Sequence, residues 1–423
     1  MAKFRFILAA LVFMVFASTA VFADDFADGL AAYQRGDFET AFKSWKRLAE
    51  QGNAEAQNNV GKMYENGEGV PEYDAEAVNW YRKAAEQGLA EAQYNLGIMY
   101  ADGKGVVVDD AEAIKWIRKA AEQDNARAQY NLGTRYESGK GVTEDDAEAL
   151  NWIRKAAEHG SAGAQYNLGV RHENGKGVVE DDAEAIKWIR KAAEQGNGDA
   201  QYNLGTRYES GKGVTEDDAE AENWIRKAAE QGNAEAQYRF ASYSNDHEEA
   251  VNWIRKAAEQ GNAEAQYRIG FALEFGMGET KRDMVEAVNW YRKAGEQGIV
   301  EAQERLGWLY ENGKGVTEYH AEAMKWYRMA AENGSVTAQY SLGRMYEKGG
   351  GIEYILGRMY KKGGGIERNV IDAYAWFNIA ATAGDADAIG AKAKLSATMT
   401  KEQIAEAQKK SAEIVKTIKK PQL

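Results

Sequence analysis

The strongest constraint on the fold of this chain is a repeat of 36 residues. An Ala-Gln dipeptide opens each copy, at Ala56, Ala92, Ala128, Ala164, Ala200, Ala236, Ala265, Ala302 and Ala338. Ten of the eleven tryptophans hold one position of the repeat, and only Trp308 is out of phase. A fixed period of this length is typical of repeat proteins, in which each unit buries its apolar face against its neighbours.

Each unit contains two helical patterns. In the unit 126–161, Ala128, Leu132 and Tyr136 lie at i, i+4 and i+8, on one face of a first helix. The second helix has the spacing i, i+3, i+4, i+7, as at Ala113, Trp116, Ile117 and Ala120. Gly133 costs about 1 kcal/mol relative to alanine inside a helix, so we expect a neighbouring helix to approach closely there.

The composition supports a helical chain and excludes several classes of function. There are only two prolines, and most of the 44 glycines follow a helical pattern and can end it. The chain has no cysteine, which excludes disulfides, thiolate metal sites and cysteine nucleophiles. Its net charge of −13 opposes binding to nucleic acid. We therefore expect no nucleic-acid partner.

Residues 1–23 have the pattern of an export signal. Lys3 and Arg5 precede an apolar run, and Ala23 supplies the small residue before a cleavage point. The run is short for a membrane span, although a retained anchor is the alternative. We expect cleavage after Ala23, a periplasmic or secreted protein, and no membrane span in the mature chain.

The repeat resembles a known family. The patterns A-Q-Y-N-L-G-x-x-Y-x-x-G-x-G-V and D-x-x-E-A-x-x-W-x-R-K-A-A-E-Q-G-N are similar to the Sel-1-like repeat, a relative of the tetratricopeptide repeat, over residues 54–385. The resemblance implies an all-α fold, a right-handed α-α superhelix of helix-turn-helix repeats. Residues 24–53 resemble a tetratricopeptide-like capping unit, and 386–423 resemble closing helices with a capping box at Thr400 and Gln403.

Two units depart from the regular length. The unit 234–262 lacks the Gly-x-Gly-Val loop, and the segment from about 342 to 369 contains two near copies of fourteen residues, LGRMYEKGGGIEYI and LGRMYKKGGGIERN. The sequence does not determine which copy occupies the regular repeat position.

No motif indicates catalysis or a cofactor. The spacing from Gly133 to Gly139-Lys140 does not match a phosphate-binding loop, and the acidic runs lack the spacing of a calcium loop. No serine is followed by lysine three residues later, as penicillin-recognising enzymes require. Four scattered histidines do not form a metal-binding pattern. We expect no catalytic residue, no metal and no cofactor.

Recognition of a partner is the remaining function. By analogy with the tetratricopeptide repeat, the third and seventh residues of each first helix, counted from the Ala of Ala-Gln, would line a concave face. The predicted partner-binding residues are Tyr94, Tyr130, Tyr166, Tyr202, Tyr238, Tyr267, Phe271, Trp308, Tyr340 and Arg344. Large amphipathic rings suit a protein contact, and Trp308 is the best single candidate. The alternative is that the tyrosines pack between adjacent repeats.

These observations predict an exported, non-catalytic scaffold that binds another protein through its concave face. The family resemblance implies envelope complex assembly, sensor regulation or host-protein binding, without choosing among them. We expect a monomer. Two alternatives stay open at this point: a β-lactam-binding or weak β-lactamase-like enzyme, and a module that binds glycan or peptidoglycan through the tyrosines.

Overall fold

The computed structural model describes residues 25–277, 280–348 and 368–418. The predicted signal segment 1–23 and most of the duplicated segment 342–369 lie outside the described residues. Within the described ranges the chain forms 22 α-helices and no strand. The chain divides into two compact units, the first ending at Ala221 and the second beginning at Glu222.

The helices of the first unit follow one another in pairs, and the last of them continues past Ala221. They are α1 (25–34), α2 (Phe38–Glu50), α3 (Ala54–Asn66), α4 (Asp74–Glu86), α5 (Ala90–Asp102), α6 (Asp110–Ala121), α7 (Ala126–Ser138), α8 (Asp146–Glu158), α9 (Ala162–Asn174), α10 (Asp182–Glu194), α11 (Gly198–Ser210) and α12 (Asp218–Glu230).

The second unit has the same paired arrangement. Its helices are α13 (Ala234–Phe240), α14 (His247–Glu259), α15 (Ala263–Phe275), α16 (Met284–Glu296), α17 (Val300–Asn312), α18 (His320–Glu332), α19 (Val336–Lys348), α20 (Val370–Thr382), α21 (Ala386–Ser396) and α22 (Lys401–Val415). In both units, helices adjacent in sequence pack against each other. The all-α repeat fold predicted from the sequence is confirmed.

The helix ends follow from local side-chain chemistry. Asn125 begins α7 by accepting a hydrogen bond from the Ala128 amide at 2.9 Å, which satisfies one of the free N–H groups of the first turn. Gly139 ends the same helix with φ +67°, a conformation that costs glycine little. The same alternation of an Asn, Asp or Ser start and a glycine end recurs in most units, which explains why glycine is abundant without interrupting the helices.

Close helix approach is the reason for the glycine inside the first helix. A Cβ atom on Gly133 would lie 2.7 Å from Cγ1 of Ile153 and 3.1 Å from the carbonyl oxygen of Ala149, both on α8. The sequence-based expectation of close approach is therefore confirmed. The position of the first helix against its partner is fixed by this contact, and so is the direction in which its remaining side chains project.

The short unit keeps a reduced first helix. Helix α13 has seven residues, against thirteen in most first helices, and α14 begins soon after it. Phe240 at its end is 5% exposed and its ring lies 5.5 Å from that of Trp253, at an angle of 86°. The unit therefore retains an aromatic core contact between its two helices. Its assignment as a separate repeat stays a prediction.

The C-terminal helices close the last described repeat. Thr400 and Gln403 form the predicted capping box, with each side chain bonded to the other residue's backbone amide. On α22, Ile404, Ala407 and Ile414 belong to or pack against clusters that contain residues of α20. The apolar face of α22 thus covers side chains that would otherwise face water.

Candidate functional site

The predicted tyrosines are half-buried. This holds for Tyr94, Tyr130, Tyr166, Tyr202, Tyr238, Tyr267 and Tyr340. In the first unit each described contact places the ring at the junction with the next repeat, where it also touches the apolar core. One part of each ring therefore packs, as the alternative from the sequence expected, and another part remains accessible, so the predicted role in partner binding stays a prediction.

The exposure of each ring depends on the second residue of the next first helix. In α7 this residue is Arg127, whose guanidinium lies 4.8 Å from the centroid of the Tyr94 ring and covers it. In α9 it is Gly163, where a Cβ atom would be 3.2 Å from Cε1 of Tyr130. No side chain of residue 163 covers Tyr130, and this ring lines a cavity of about 430 Å³.

Burial raises the pKa of two of these phenols above its ordinary value. It raises the pKa of Tyr130, and a hydrogen bond from the side chain of Asn167 partly offsets the effect. Burial is also the main reason for the raised pKa of Tyr166, followed by the negative charge of Asp199. Both hydroxyl groups carry a proton at neutral pH, as an ordinary tyrosine does, and the raised pKa extends the protonated form to higher pH.

The second unit carries four side chains that we call the aromatic patch: Phe271 and Phe275 on α15, and Arg305 and Trp308 on α17. Phe271 and Trp308 are each 37% exposed, and Phe275 is 53% exposed. The two phenylalanine rings lie 4.7 Å apart. The guanidinium of Arg305 lies 4.3 Å from the Trp308 ring and 5.6 Å from the Phe275 ring. A single cation therefore joins the rings of the two helices.

Buried Glu274 holds that cation in place. Its side chain is 4% exposed and accepts a hydrogen bond from Nε of Arg305 at 2.8 Å, with a second contact to Nη2. It also accepts one from the hydroxyl of Tyr291 at 2.9 Å. A bidentate pair of this kind fixes the guanidinium plane. The cation at the centre of the aromatic patch is consequently held in place by the fold.

The other predicted residues of the second unit have structural contacts. The Tyr267 ring lies 5.7 Å from that of the fully buried Tyr291, and the Tyr340 ring lies 5.8 Å from that of Phe377. Arg344 donates a hydrogen bond to Glu311 at 2.9 Å, so its charge is already paired. Of the predicted residues in this unit, Phe271 and Trp308 are the ones with large exposed rings.

Sequence reasoning missed two members of the aromatic patch. Phe275 occupies the last position of its first helix, where α17 has Asn312, and comparing the units would have revealed the substitution. Arg305 replaces the asparagine found in α7 and α9, at Asn131 and Asn167. Its role depends on Glu274 in the preceding repeat, and a single helix pattern does not show that contact.

The described residues contain no group of three or more His, Asp or Glu side chains that could hold a metal ion. Among the same residues, no helix is both long enough and apolar enough to cross a membrane. His159 is bonded through Nδ1 to Gln129 at 2.8 Å, a contact that other units make with glutamine or asparagine. This histidine therefore has a structural partner.

The comparisons with known proteins agree on one family. The model of the Sel1 repeat matches residues 54–89, 90–125, 126–161, 162–197, 198–233, 234–262, 263–299, 300–335, 336–354 and 353–385. A search among curated proteins gives no match.

Two solved structures are similar in sequence as well as in fold. One is a protective antigen present in uropathogenic Escherichia coli strains and described as having an SLR fold. It is 33% identical, with a TM-score of 0.53, and the alignment covers 95% of this chain and 93% of that one. The other is a Sel1 repeat protein from Oxalobacter formigenes. It is 35% identical, with a TM-score of 0.50, and the alignment covers 55% of this chain and 96% of that one.

Proposed function

The chain belongs to the Sel1 repeat family, and from this premise we propose that it is a non-catalytic scaffold that binds another protein through the aromatic patch. Solenoids of this family are typically protein-interaction scaffolds. Within the face predicted from the sequence, the proposed binding site comprises the rings with the greatest exposure. The partner is a protein that presents apolar or aromatic side chains to Phe271, Phe275 and Trp308.

The observation that carries the proposal is the exposure of three large rings around one paired arginine. Exposed aromatic side chains that lie together are common at interaction sites, and tryptophan, tyrosine and arginine supply most binding hot spots. Because Glu274 already fixes Arg305, little conformational entropy would be lost on binding. Burial of the rings away from water would contribute favourable free energy to binding, and the arginine would keep its ion pair.

We further propose that the protein is exported. The basic start, apolar run and Ala23 of the sequence support cleavage of a signal, and the similar Escherichia coli protein is described as a protective antigen. A periplasmic or secreted scaffold would meet partners of the cell envelope, sensor proteins or host proteins. The mass of the mature protein tests this proposal, since cleavage after Ala23 leaves Asp24 as the first residue.

Photocrosslinking in cells that express the full chain tests the binding proposal. A benzoylphenylalanine in place of Trp308 should give an adduct with a protein partner, which mass spectrometry identifies. The control replaces Val285 on α16, which is 62% exposed and is not a member of the aromatic patch. Equal yields of adducts at residues 308 and 285 would argue against a specific binding face. The absence of any adduct at residue 308 would argue against it as well.

Substitution of the most exposed ring then separates binding from folding. Once the partner is identified, Phe275→Ala should weaken its affinity about tenfold or more, corresponding to about 1.4 kcal/mol. The unfolding midpoint should change little, because the ring is 53% exposed. Val285→Ala is the control and should leave affinity unchanged. A Phe275→Ala protein with unchanged affinity would exclude this ring from the interface.

The enzymatic alternative makes a different prediction. A β-lactam-hydrolysing protein would turn over nitrocefin above background. The proposed scaffold would not, because the sequence has no serine followed by lysine at the required spacing.

A further inference from the structure

Helix α17 carries two carboxylates beside the aromatic patch. Glu301, Glu304 and Trp308 lie at i, i+3 and i+7, on one face of this helix. Burial is the main reason for the raised pKa of Tyr267, and the negative charge of Glu301 adds to it, so this carboxylate lies near the tyrosine. The Tyr267 ring is in turn 6.4 Å from that of Phe271. The two carboxylates therefore adjoin exposed rings of the aromatic patch, within the second compact unit.

Glu301 lacks the cation that its counterpart in the preceding repeat has. In α15 the equivalent residue, Glu264, forms an ion pair with Arg268 one turn later, at 3.7 Å. The arginine at the same position of α17 is Arg305, but Glu274 holds it. Glu301 is exposed, and it forms no ion pair with a cation of the described part of the chain. The contact that fixes the centre of the aromatic patch thus leaves a carboxylate unpaired beside it.

Glu304 is a half-buried carboxylate at a position where most first helices have tyrosine. Its Oε1 is hydrogen-bonded to the hydroxyl of Ser335, the residue that begins α19. Burial raises the pKa of Glu304, the bond to Ser335 lowers it, and the negative charge of Glu301 raises it again. Among the described residues no cation forms an ion pair with this carboxylate. A cation brought near both charges would offset their desolvation and their mutual repulsion.

The arginines of α15, α17 and α19 do not supply that cation, because each has its own carboxylate partner. The pairs are Arg268 with Glu264, Arg305 with Glu274, and Arg344 with Glu311. Glu301 and Glu304 are therefore in excess. A purely apolar partner would bury these carboxylates without compensation, and an acidic partner would add a further like charge. Charge complementarity favours a basic side chain in the partner.

We propose that the protein partner places a lysine or arginine side chain against Glu301 and Glu304, next to the apolar side chain that contacts Trp308. The proposal rests on the proposed function, because it takes the aromatic patch to be a protein-binding surface, and it adds the charge of the residue recognised there. An ion pair at the edge of an apolar contact contributes selectivity for the partner, since a wrong charge is repelled.

The spacing of the site determines a probe for this recognition. Glu304 and Trp308 are four residues apart in a helix, which is about 6 Å along its axis. Residues i and i+2 of an extended segment point to the same side and are separated by about 6.6 Å. A peptide with a basic residue two positions from an aromatic one can therefore reach both Glu304 and Trp308.

The test uses the full chain and three blocked peptides: Ac-Gly-Lys-Ser-Phe-Ser-Lys-Gly-NH2 and the same peptide with Gln or Glu in place of both lysines. Lysines on both sides of the phenylalanine allow either direction of the peptide. The indole N–H resonance of Trp308, assigned with Trp308→Phe, is followed during titration by nuclear magnetic resonance. A salt concentration of about 0.15 M limits attraction between distant charges, because the Debye length is then about 8 Å.

We expect a saturable shift of the Trp308 resonance with the Lys peptide. The Gln peptide should bind at least about fivefold more weakly, and the Glu peptide more weakly still, because neither supplies a cation. Equal affinity of the Lys and Gln peptides, preferred binding of the Glu peptide or the absence of a saturable shift would overturn the proposal.

A pair of double variants locates the charge that is recognised. Glu301→Gln with Glu304→Gln should reduce the affinity for the Lys peptide to that for the Gln peptide, while the circular dichroism spectrum is retained, because glutamine keeps an acceptor for Ser335. Glu296→Gln with Glu332→Gln is the matched control. It removes the same charge from exposed, equivalent positions of the second helices α16 and α18 and should change the affinity by less than about twofold. An equal loss in both double variants would show attraction to the net charge of the protein alone and would contradict the proposal.

Failure of this proposal can be told apart from failure of the proposed function. Equal, saturable binding of all three peptides would remove the preference for a basic residue and leave the aromatic patch as a binding surface. Failure of the aromatic patch itself is seen as the absence of adducts at residue 308 in the crosslinking experiment, which does not depend on the charge of a peptide.

Discussion

The close contact at Gly133 allows a quantitative prediction about the repeat. In Gly133→Ala the new methyl group would lie 2.7 Å from Cγ1 of Ile153, where a normal contact between carbon atoms is about 3.5–4.0 Å. Rotation of Ile153 cannot relieve the contact completely, because the carbonyl oxygen of Ala149 is 3.1 Å away and the amide nitrogen of Ile153 is 3.2 Å away. Helix α7 must therefore move away from α8.

The expected magnitude is the difference between two effects. Overpacking a core contact costs about 1–3 kcal/mol, while alanine is favoured over glycine inside a helix by about 1 kcal/mol. We expect Gly133→Ala to be destabilising by about 1 kcal/mol. Gly198→Ala is the matched control, because Gly198 begins α11 and a Cβ atom there has no heavy atom within 4 Å. We expect that substitution to be neutral or slightly stabilising.

Urea unfolding followed by circular dichroism measures both variants, and hydrogen exchange locates the change. The amides of α7 and α8 should exchange faster in Gly133→Ala, whereas those of α2 and α3 should not, because the stability of a repeat array is partly local. If Gly133→Ala raised the unfolding midpoint as much as Gly198→Ala does, the close contact would not determine the helix packing.

Three further substitutions test other contacts. Asp124 adopts φ +61° where most repeats have glycine, so Asp124→Gly should raise the free energy of unfolding by about 0.5–1 kcal/mol in a urea titration. Arg305→Ala would leave buried Glu274 without its cation and should cost about 3 kcal/mol, with part recovered in the double variant with Glu274→Gln. The hydrogen bond from Lys176 and the charge of Arg171 lower the pKa of Glu137. Above the ordinary pKa range of carboxyl groups, ionised Glu137 therefore stabilises the fold. This stabilisation is lost as the pH falls through the lowered pKa. The stability difference between the wild type and Glu137→Gln should accordingly be present at pH 7 and shrink in unfolding titrations below about pH 4.

The fold was predictable because the repeat encodes it locally. Gly133 could be interpreted from one helix, since a glycine inside a helical pattern needs a packing reason. Thr400 and Gln403 could be interpreted as a capping box from their spacing alone. Both predictions concern contacts between residues that are close in sequence or at equivalent places in every unit. The period itself supplies the remaining information about which helices pair.

The exposure of the tyrosines could not be predicted in the same way. Tyr94 and Tyr130 occupy the same repeat position, yet the guanidinium of Arg127 lies over the first ring, whereas Gly163 places no side chain over the second, which lines a cavity. The deciding residue lies in the next repeat, on another helix. A pattern read along one helix treats the two tyrosines as equivalent, so the predicted ladder contained both open and covered rings.

The buried arginines extend this argument to the core. Helical patterns count arginine as polar and place it on the surface, whereas Arg135, Arg171 and Arg207 are 7%, 3% and 3% exposed. Each is held by an asparagine four residues earlier in its own helix. Arg171 and Arg207 also pair with a glutamate of the preceding repeat. These partners make burial of the charge possible. The complete set of partners cannot be predicted from the pattern of one helix alone, because the glutamate lies in the preceding repeat.

The same substitution shows how the core of a repeat can change without a change in backbone. At Met63 and Met99 the buried side chain of this position is apolar and offers no hydrogen-bond donor. Where Arg171 replaces methionine, the position carries a cation whose terminal nitrogen lies 2.9 Å from Oε1 of Glu137. A repeat can therefore acquire a buried ion pair through one core substitution, provided that the preceding repeat supplies the carboxylate. Arg171→Met should test this directly. The pKa of Glu137 should rise, because the charge of Arg171 helps to lower it, and the helical content should be unchanged, because methionine already fills this position in two earlier repeats.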